Sequence, residues 1–197
     1  YDIVTDFYIN AGLQAEQTQT DFDIKNNSNR YANNYWSVLP FATILKKWKN
    51  ELSITFSYKR TVQRPRLHEL NPSLDYADPY NTRSGNPYLQ PYYADNFDLI
   101  TGKWNKKYNF NVSVGYNALQ NIYSSIRTLL PDGKTFTSWQ NISGRKEYEA
   151  SVWGGYTLNK KAKANLSCGY THNVYSLYDR TVRFFRNGGS FYSTLNG

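Results

Sequence analysis

Residues 108–116 read Tyr108-Asn109-Phe110-Asn111-Val112-Ser113-Val114-Gly115-Tyr116. Large apolar side chains fall on every second position, and small or polar ones fill the gaps. Period two is the signature of a β-strand with one apolar and one polar face. The same alternation runs outward in both directions. Leu52, Ile54, Phe56 and Tyr58 oppose Ser53, Thr55, Ser57 and Lys59. Ala150, Val152, Gly154, Tyr156 and Leu158 oppose Glu147, Glu149, Ser151, Trp153 and Thr157. Ala164, Leu166, Cys168 and Tyr170 oppose Asn165, Ser167, Gly169 and Thr171. Near the start, Phe7, Ile9, Ala11 and Leu13 oppose Tyr8, Asn10, Gly12 and Gln14. The stretch from Trp36 to Leu45 is apolar on both faces and cannot be oriented from sequence.

Composition agrees with strands. Nineteen Tyr, ten Phe and five Trp in 197 residues favour a pleated surface, on which flat rings pack well. Mean hydropathy is −0.72, and no run approaches the roughly 18 apolar residues of a membrane helix. A chain that crosses a membrane with this sequence does so as a barrel, whose alternating faces average out. Cys168 stands alone, which argues against a disulfide-stapled secreted scaffold. The sequence opens on Tyr1 without a targeting segment, as expected of a processed chain or a fragment.

Strand length and turn length decide between two all-β architectures. An antiparallel sandwich explains the alternation. Its strands are short, with a mode of about 5–6 residues. Here alternation persists for longer, as suits a tilted strand crossing a bilayer in about 9–11 residues. Short turns are expected near 46–50, 103–107 and 159–162, and long loops near 21–34 and 62–92. That asymmetry belongs to outer-membrane barrels. Pro131-Asp132-Gly133 reads as a tight turn within a further extended hairpin. Trp48, Trp104 and Tyr108 beside short turns, and Trp36 and Trp139 towards the other end, are the expected interface aromatics. The reading is an all-β antiparallel meander of about eight strands, a single segment 1–197 of a transmembrane outer-membrane β-barrel.

The formal charge is +8, and nine of the thirteen lysines sit in three clusters: 46, 47 and 49; 103, 106 and 107; 160, 161 and 163. Each cluster falls at a short turn. Turns are solvated, so lysine there needs no partner, although a rim beside anionic headgroups would use the same charges. Nucleic-acid binding would need basic and aromatic residues interleaved on one face, which is not the pattern, so no nucleic-acid partner is expected.

The 62–92 loop reads Val62-Gln63-Arg64-Pro65-Arg66-Leu67-His68-Glu69-Leu70-Asn71-Pro72 and, later, Arg83-Ser84-Gly85-Asn86-Pro87-Tyr88-Leu89-Gln90-Pro91-Tyr92. An Arg-Pro, an Asn-Pro and a Gly-Asn-Pro-x-Leu-x-Pro in this order resemble the outer-membrane β-barrel domain of TonB-dependent receptor-like proteins of the Bacteroidetes. Leu39-Pro40 and Ala11-Gly12-Leu13-Gln14-Ala15-Glu16 are similar to strand segments of that family. The resemblance covers essentially the whole chain. It implies a plugged barrel of about 22 strands in the Gram-negative outer membrane, engaged in nutrient uptake powered through TonB, with lipid, plug and the remaining barrel as partners. The sequence departs from the complete pattern. It has no recognisable plug or TonB-contact segment, holds about eight strands, and ends without a closing aromatic residue. These departures suggest part of a larger barrel. A soluble β-sandwich module that binds a ligand or glycan and a small stand-alone structural outer-membrane barrel are the alternatives.

Arg64, Pro65, Asn71, Pro72, Gly85, Asn86, Pro87 and Pro91 are expected to shape the loop, since Asn-Pro and Gly-Asn-Pro fix turns. Arg64, Arg66, His68, Tyr76, Tyr80, Arg83 and Tyr88 form its basic-aromatic surface, the candidate for contact with a ligand or partner. No catalytic, metal or cofactor site is expected. His68 and His172 lack nearby ligands, and Glu147 with Glu149 reads as a polar wall.

Overall fold

The computed structural model describes residues 6–24, 29–159, 162–178 and 183–196. They form one nine-stranded sheet. Its strands are β1 (Asp6–Ile24), β2 (Asn29–Lys47), β3 (Leu52–Gln63), β4 (Asn81–Arg83), β5 (Tyr92–Trp104), β6 (Tyr108–Leu129), β7 (Thr135–Asn159), β8 (Ala162–Tyr178) and β9 (Arg183–Asn196). Eight run as an antiparallel meander, β1-β2-β3-β5-β6-β7-β8-β9, and β4 lies off that path, parallel to β7. A single sheet replaces the two packed sheets of a sandwich. Among the described residues β1 and β9 each pair with one neighbour only, so the small closed barrel is not formed either.

Antiparallel register puts directly opposed residues on the same face. Val112 opposes Val152, which opposes Cys168, while Ile44, Phe56, Leu99 and Val114 line up across β2, β3, β5 and β6. This face leaves Ile9, Leu13, Phe56, Leu99, Val114, Val152, Leu166 and Phe191 open to the surroundings. In water so large an apolar field would drive association, whereas hydrocarbon solvates it at no cost. The opposite face carries Ser57, Asp98, Ser113, Asn117, Glu147, Glu149, Ser151, Thr171 and Asn173. There the Ser113 and Ser151 hydroxyls meet at 2.6 Å.

The apolar band has two aromatic edges. At the short-turn end, Tyr108 opposes Tyr156. At the other, Tyr58, Phe97, Tyr116, Tyr148 and His172 stand on five successive strands, with ring centroids 4.8, 6.1, 5.1 and 6.4 Å apart in turn. Tyr108 and Tyr116 are eight residues apart on β6, or about 27 Å of extended chain. A tilt of about 35–45° reduces that to roughly 19–22 Å, close to the height of about 25 Å typical of an outer-membrane lipid belt.

Two sequence expectations need correction. The stretch near 21–34 is mostly strand: the β1–β2 ladder reaches Ile24–Asn29, leaving 25–28 as the connection, outside the described residues. Asp21, Asn33 and Asn34 looked like loop residues because they are poor strand formers. Beyond the lipid belt both faces meet water, so polar side chains cost the ladder nothing. The 62–92 stretch is not wholly irregular either. It contains a one-turn helix, α1 (Leu67–Leu70), as well as β4. The turn at Pro131-Asp132-Gly133 forms with Gly133 at φ 79°, and the Leu130 amide bonds the Lys134 carbonyl at 2.8 Å.

Candidate functional site

The site is the segment 64–91, which leaves β3, crosses the polar face at the long-loop end and returns as β5. Both ends are pinned by side chains distant in sequence. Arg64 forms an ion pair with Glu16, and its Nε donates to Thr18 Oγ1 at 2.9 Å. Tyr123 donates its hydroxyl proton to the Arg64 carbonyl at 3.1 Å. At the other end, Asn141 bridges two strands and the loop. It accepts the Gln90 amide at 3.0 Å and donates to the carbonyls of Gln90 and Asn121, at 2.9 and 2.8 Å. The carbonyl of Asn121 is available because a β-bulge turns it out, with Asn121 at φ 64°. Asn tolerates that left-handed conformation, and bulges near a barrel mouth redirect the groups beside them.

Between these pins the proline motifs build a small core. Leu70 and Leu89 are 5% and 2% exposed, and Pro87 and Pro91 are buried with them. Gly85 donates its amide to the Asn71 carbonyl at 2.9 Å, and Asn86 to the Glu69 carbonyl at 2.7 Å. The Asn86 side chain donates to the Trp139 carbonyl at 2.9 Å. The loop also fills a split in the sheet. Pairing between β2 and β3 stops at Phe41–Lys59, just before Pro40, which has no amide proton to offer. Beyond the split, Asn33 donates to the Pro87 carbonyl at 2.6 Å, and the hydroxyl of fully buried Ser37 meets that of Tyr93 at 3.1 Å.

The loop, β4 and β7 enclose a cavity of about 450 Å³ bounded by His68, Asn71, Asp75, Arg83, Thr137 and Trp139. The His68 ring stands edge-on to the Trp139 indole, 6.2 Å between centroids. Arg83 Nε donates to Asp75 at 2.6 Å, so the charge inside is balanced. The lining offers an aromatic platform, an imidazole and several fixed donors and acceptors, which suits recognition of a polar ligand.

Of the surface residues singled out in the sequence, the structure brings His68 and Arg83 into this cavity. Arg64 is taken up by Glu16. Tyr88 packs edge-on against Tyr31 on β2, at 5.7 Å. Tyr76 and Tyr80 project from the loop, about 70% exposed, and the Arg66 amide is used to cap α1 through Glu69 at 2.7 Å. Asp75, Ser125 and Thr137 were not foreseen, because nothing in the sequence announces the pairing of β4 with β7. Among the expected interface aromatics, Trp48 and Tyr108 lie at the short-turn edge beneath Lys46 and Lys103. The other three lie elsewhere. Trp104 turns to the polar face, its ring over Gly102. Trp36 lies six residues beyond Ala42, the partner of Tyr58, well past the aromatic row. Trp139 belongs to the cavity.

Two carboxylates of the loop, Asp75 and Asp78, are held ionised. The Ala77 amide, then the Arg83 guanidinium, lower the Asp75 pKa below its ordinary 3.8. The Asn81 side chain, then the Tyr80 amide, do the same for Asp78. A depressed carboxylate pKa stabilises the folded form above the unfolded value, and that support is lost as pH falls through the folded value. Protection against amide exchange at Ala77 and Arg83, relative to the intrinsic rate at each pH, is therefore expected to hold from neutral pH down to about 3.8 and to fall below it. Protection that persists well below that pH would show that the Asp75 carboxylate does not order this part of the loop.

The model of the outer membrane protein beta-barrel family matches residues 2–197. The chain belongs to that family. The fold comparison agrees. The crystal structure of the siderophore receptor PirA from Pseudomonas aeruginosa superposes with a TM-score of 0.58 at 11% identity, over 94% of this chain and 41% of the receptor. The copper transporter OprC superposes with a TM-score of 0.57 at 11% identity, over 96% of this chain and 37% of the transporter. The chain thus spans about two fifths of the length of either structure, and at this identity the likeness is one of fold. No curated protein sequence matches it. Family membership makes the exposed apolar face the lipid face and places the protein in the outer membrane. In such barrels short turns are periplasmic and long loops extracellular.

Proposed function

We propose that this chain is a wall segment of a TonB-dependent outer-membrane receptor for nutrient uptake, and that the 64–91 loop forms part of its ligand entrance. The observation that carries the reading is the loop itself. It is rigidly built, it crosses the polar face at the long-loop end, and it encloses a polar-aromatic cavity where an entering solute would pass. The superposition with a siderophore receptor and a copper transporter over nearly all of this chain supports the same reading. The plug, the remaining strands and TonB would be supplied by the parent protein and its Gram-negative, Bacteroidetes host. The polar wall of Asp98, Glu147 and Glu149 would face the plug.

Topology and transport are tested together in whole cells. In a Cys168→Ser background of the full-length protein, Tyr80→Cys is expected to react with a membrane-impermeant maleimide on intact cells, and Lys106→Cys only after permeabilisation. A strain lacking the gene is expected to lose energy-dependent uptake of one member of a panel of iron chelates, glycans, peptides and cobalamin. Reversed labelling would sink the placement of the loop. Unchanged uptake of every solute in that panel would count against the receptor reading.

A further inference from the structure

The short-turn rim carries a second cluster that uptake does not use. Tyr108 and Tyr156 are directly opposed on the lipid face, which sets their Cβ atoms about 5 Å apart. The Lys103 ammonium lies 5.8 Å from the centroid of Tyr108, and the Lys107 ammonium 5.7 Å from that of Tyr156. Lys46 stands 4.9 Å over Trp48 at the neighbouring turn. Each ring attracts its cation and holds it at the lower edge of the apolar band.

The turn that presents these groups is rigid. Asn105 accepts the amides of Lys107 and Tyr108 at 2.9 and 2.8 Å, and its own amide donates to the Tyr108 carbonyl at 2.9 Å. The Thr157 amide bonds the Lys107 carbonyl at 2.8 Å. Among the described residues neither lysine forms an ion pair, and residues 99–112 and 150–158 contain no Asp or Glu; the acidic side chain on the neighbouring turn is Glu51, beside Leu52, the partner of Lys103. Two cations, each held against one of two directly opposed rings, have no ion-pair partner among the described residues.

We propose that Lys103 and Lys107, shelved on Tyr108 and Tyr156, form a binding site for the phosphodiester headgroup of an anionic phospholipid in the periplasm-facing leaflet. Both ammonium groups donate to phosphate oxygens. The lysine stems and the tyrosine rings pack against the upper acyl chains, the usual division of labour for such side chains at an interface. Lys46 over Trp48 extends the same chemistry to the adjoining turn. The proposal requires only that the outward face meets lipid, and it is independent of the receptor reading.

The test uses the full-length protein, released from nanodiscs of phosphatidylcholine containing a minor fraction of phosphatidylglycerol, with retained lipid counted by native mass spectrometry. Wild-type protein is expected to retain phosphatidylglycerol in preference to phosphatidylcholine. K103Q/K107Q is expected to weaken that retention by about tenfold or more, two headgroup-level charges having been removed. K103R/K107R, which keeps both charges, is expected to retain the lipid, and K134Q, at the opposite end of the sheet, to leave retention unchanged. Folding of each variant is checked by the gel-mobility shift of the closed barrel. K107Q alone, altered outside the ladder, provides a milder variant with a smaller loss. Wild-type retention by K103Q/K107Q, equal retention of the two phospholipids, or a loss of the same size in K134Q would each overturn the site. Preferential retention of lipopolysaccharide through these lysines would overturn its assignment to the periplasmic leaflet.

Discussion

Gly85→Ala is expected to release the 64–91 loop while leaving the β-ladder beneath it intact. A Cβ at this position would lie 2.6 Å from the carbonyl oxygens of both Asn71 and Glu69, and 2.7 Å from the Asn71 amide nitrogen. All three are backbone atoms of the segment to which Gly85 and Asn86 are bonded, so no side chain can turn aside to make room. The smallest relaxation breaks the bonds from Gly85 to Asn71 and from Asn86 to Glu69. It also opens the loop's small core, in which Leu70 and Leu89 are buried. Overpacking against an unyielding backbone and the loss of two part-buried hydrogen bonds together cost about 2–4 kcal/mol locally. Amide exchange and protease sensitivity of residues 66–91 are expected to rise sharply, with an unchanged gel-mobility shift for the barrel. Unaltered protection of the loop would mean that the close approach at Gly85 does not hold it.

The second large effect separates the two faces of one strand. Val112 lies midway between the aromatic edges, on the face that meets lipid, and Ser113 lies beside it on the polar face. An arginine at the midplane of the lipid face of a barrel costs about 2–4 kcal/mol. Val112→Arg is therefore expected to destabilise the protein by that amount in reversible folding into lipid vesicles. Ser113→Arg loses only the contact with the Ser151 hydroxyl, a net change of about 1 kcal/mol, because its guanidinium remains hydrated. Near the headgroups the cost falls to about 0–1 kcal/mol, so Tyr108→Arg is expected to be mild. Equal costs for Val112→Arg and Ser113→Arg, or the reverse order, would show that the faces are assigned wrongly.

The faces were legible in the sequence wherever one face was uniformly polar. Residues 108–116 are the clearest case, and their partners 148–156 follow the same period. The Trp36–Leu45 segment resisted orientation for a structural reason. Val38, Pro40, Ala42 and Ile44 share the lipid face, but Leu39 and Phe41 are apolar on the other face too. Leu39 is buried there, and the Phe41 ring lies over Gly12. An inward apolar pair beside the 64–91 loop erases the alternation that a hydrated wall would display. The upper aromatic row was invisible for a different reason. Its five rings lie on five strands, between Tyr58 and His172, and no window along the chain contains them together. Trp104 and Trp139 were assigned to interfaces from proximity to strand ends alone, but side-chain direction and the pairing of β4 with β7 put them elsewhere. The Gly-Asn-Pro motif was readable as a turn former. What it holds together, a cavity closed by residues some fifty positions away, was not.

The anchors of the 64–91 loop also bear on which alignment of the strands is the native one. Alternation of side chains distinguishes a strand from its neighbour shifted by one residue, since that slip exchanges the faces. It is nearly blind to a slip of two, which keeps every apolar residue towards lipid and moves the strand by only about 7 Å. Arg64 finds Glu16 and Thr18 on β1, Asn86 finds the carbonyl of Trp139 on β7, and Asn141 finds Gln90. None of these contacts survives such a displacement. The loop therefore acts as a key cut for one alignment: it can close only when strands on both sides of it have docked in the native register, so its closure would proofread the assembly of the wall.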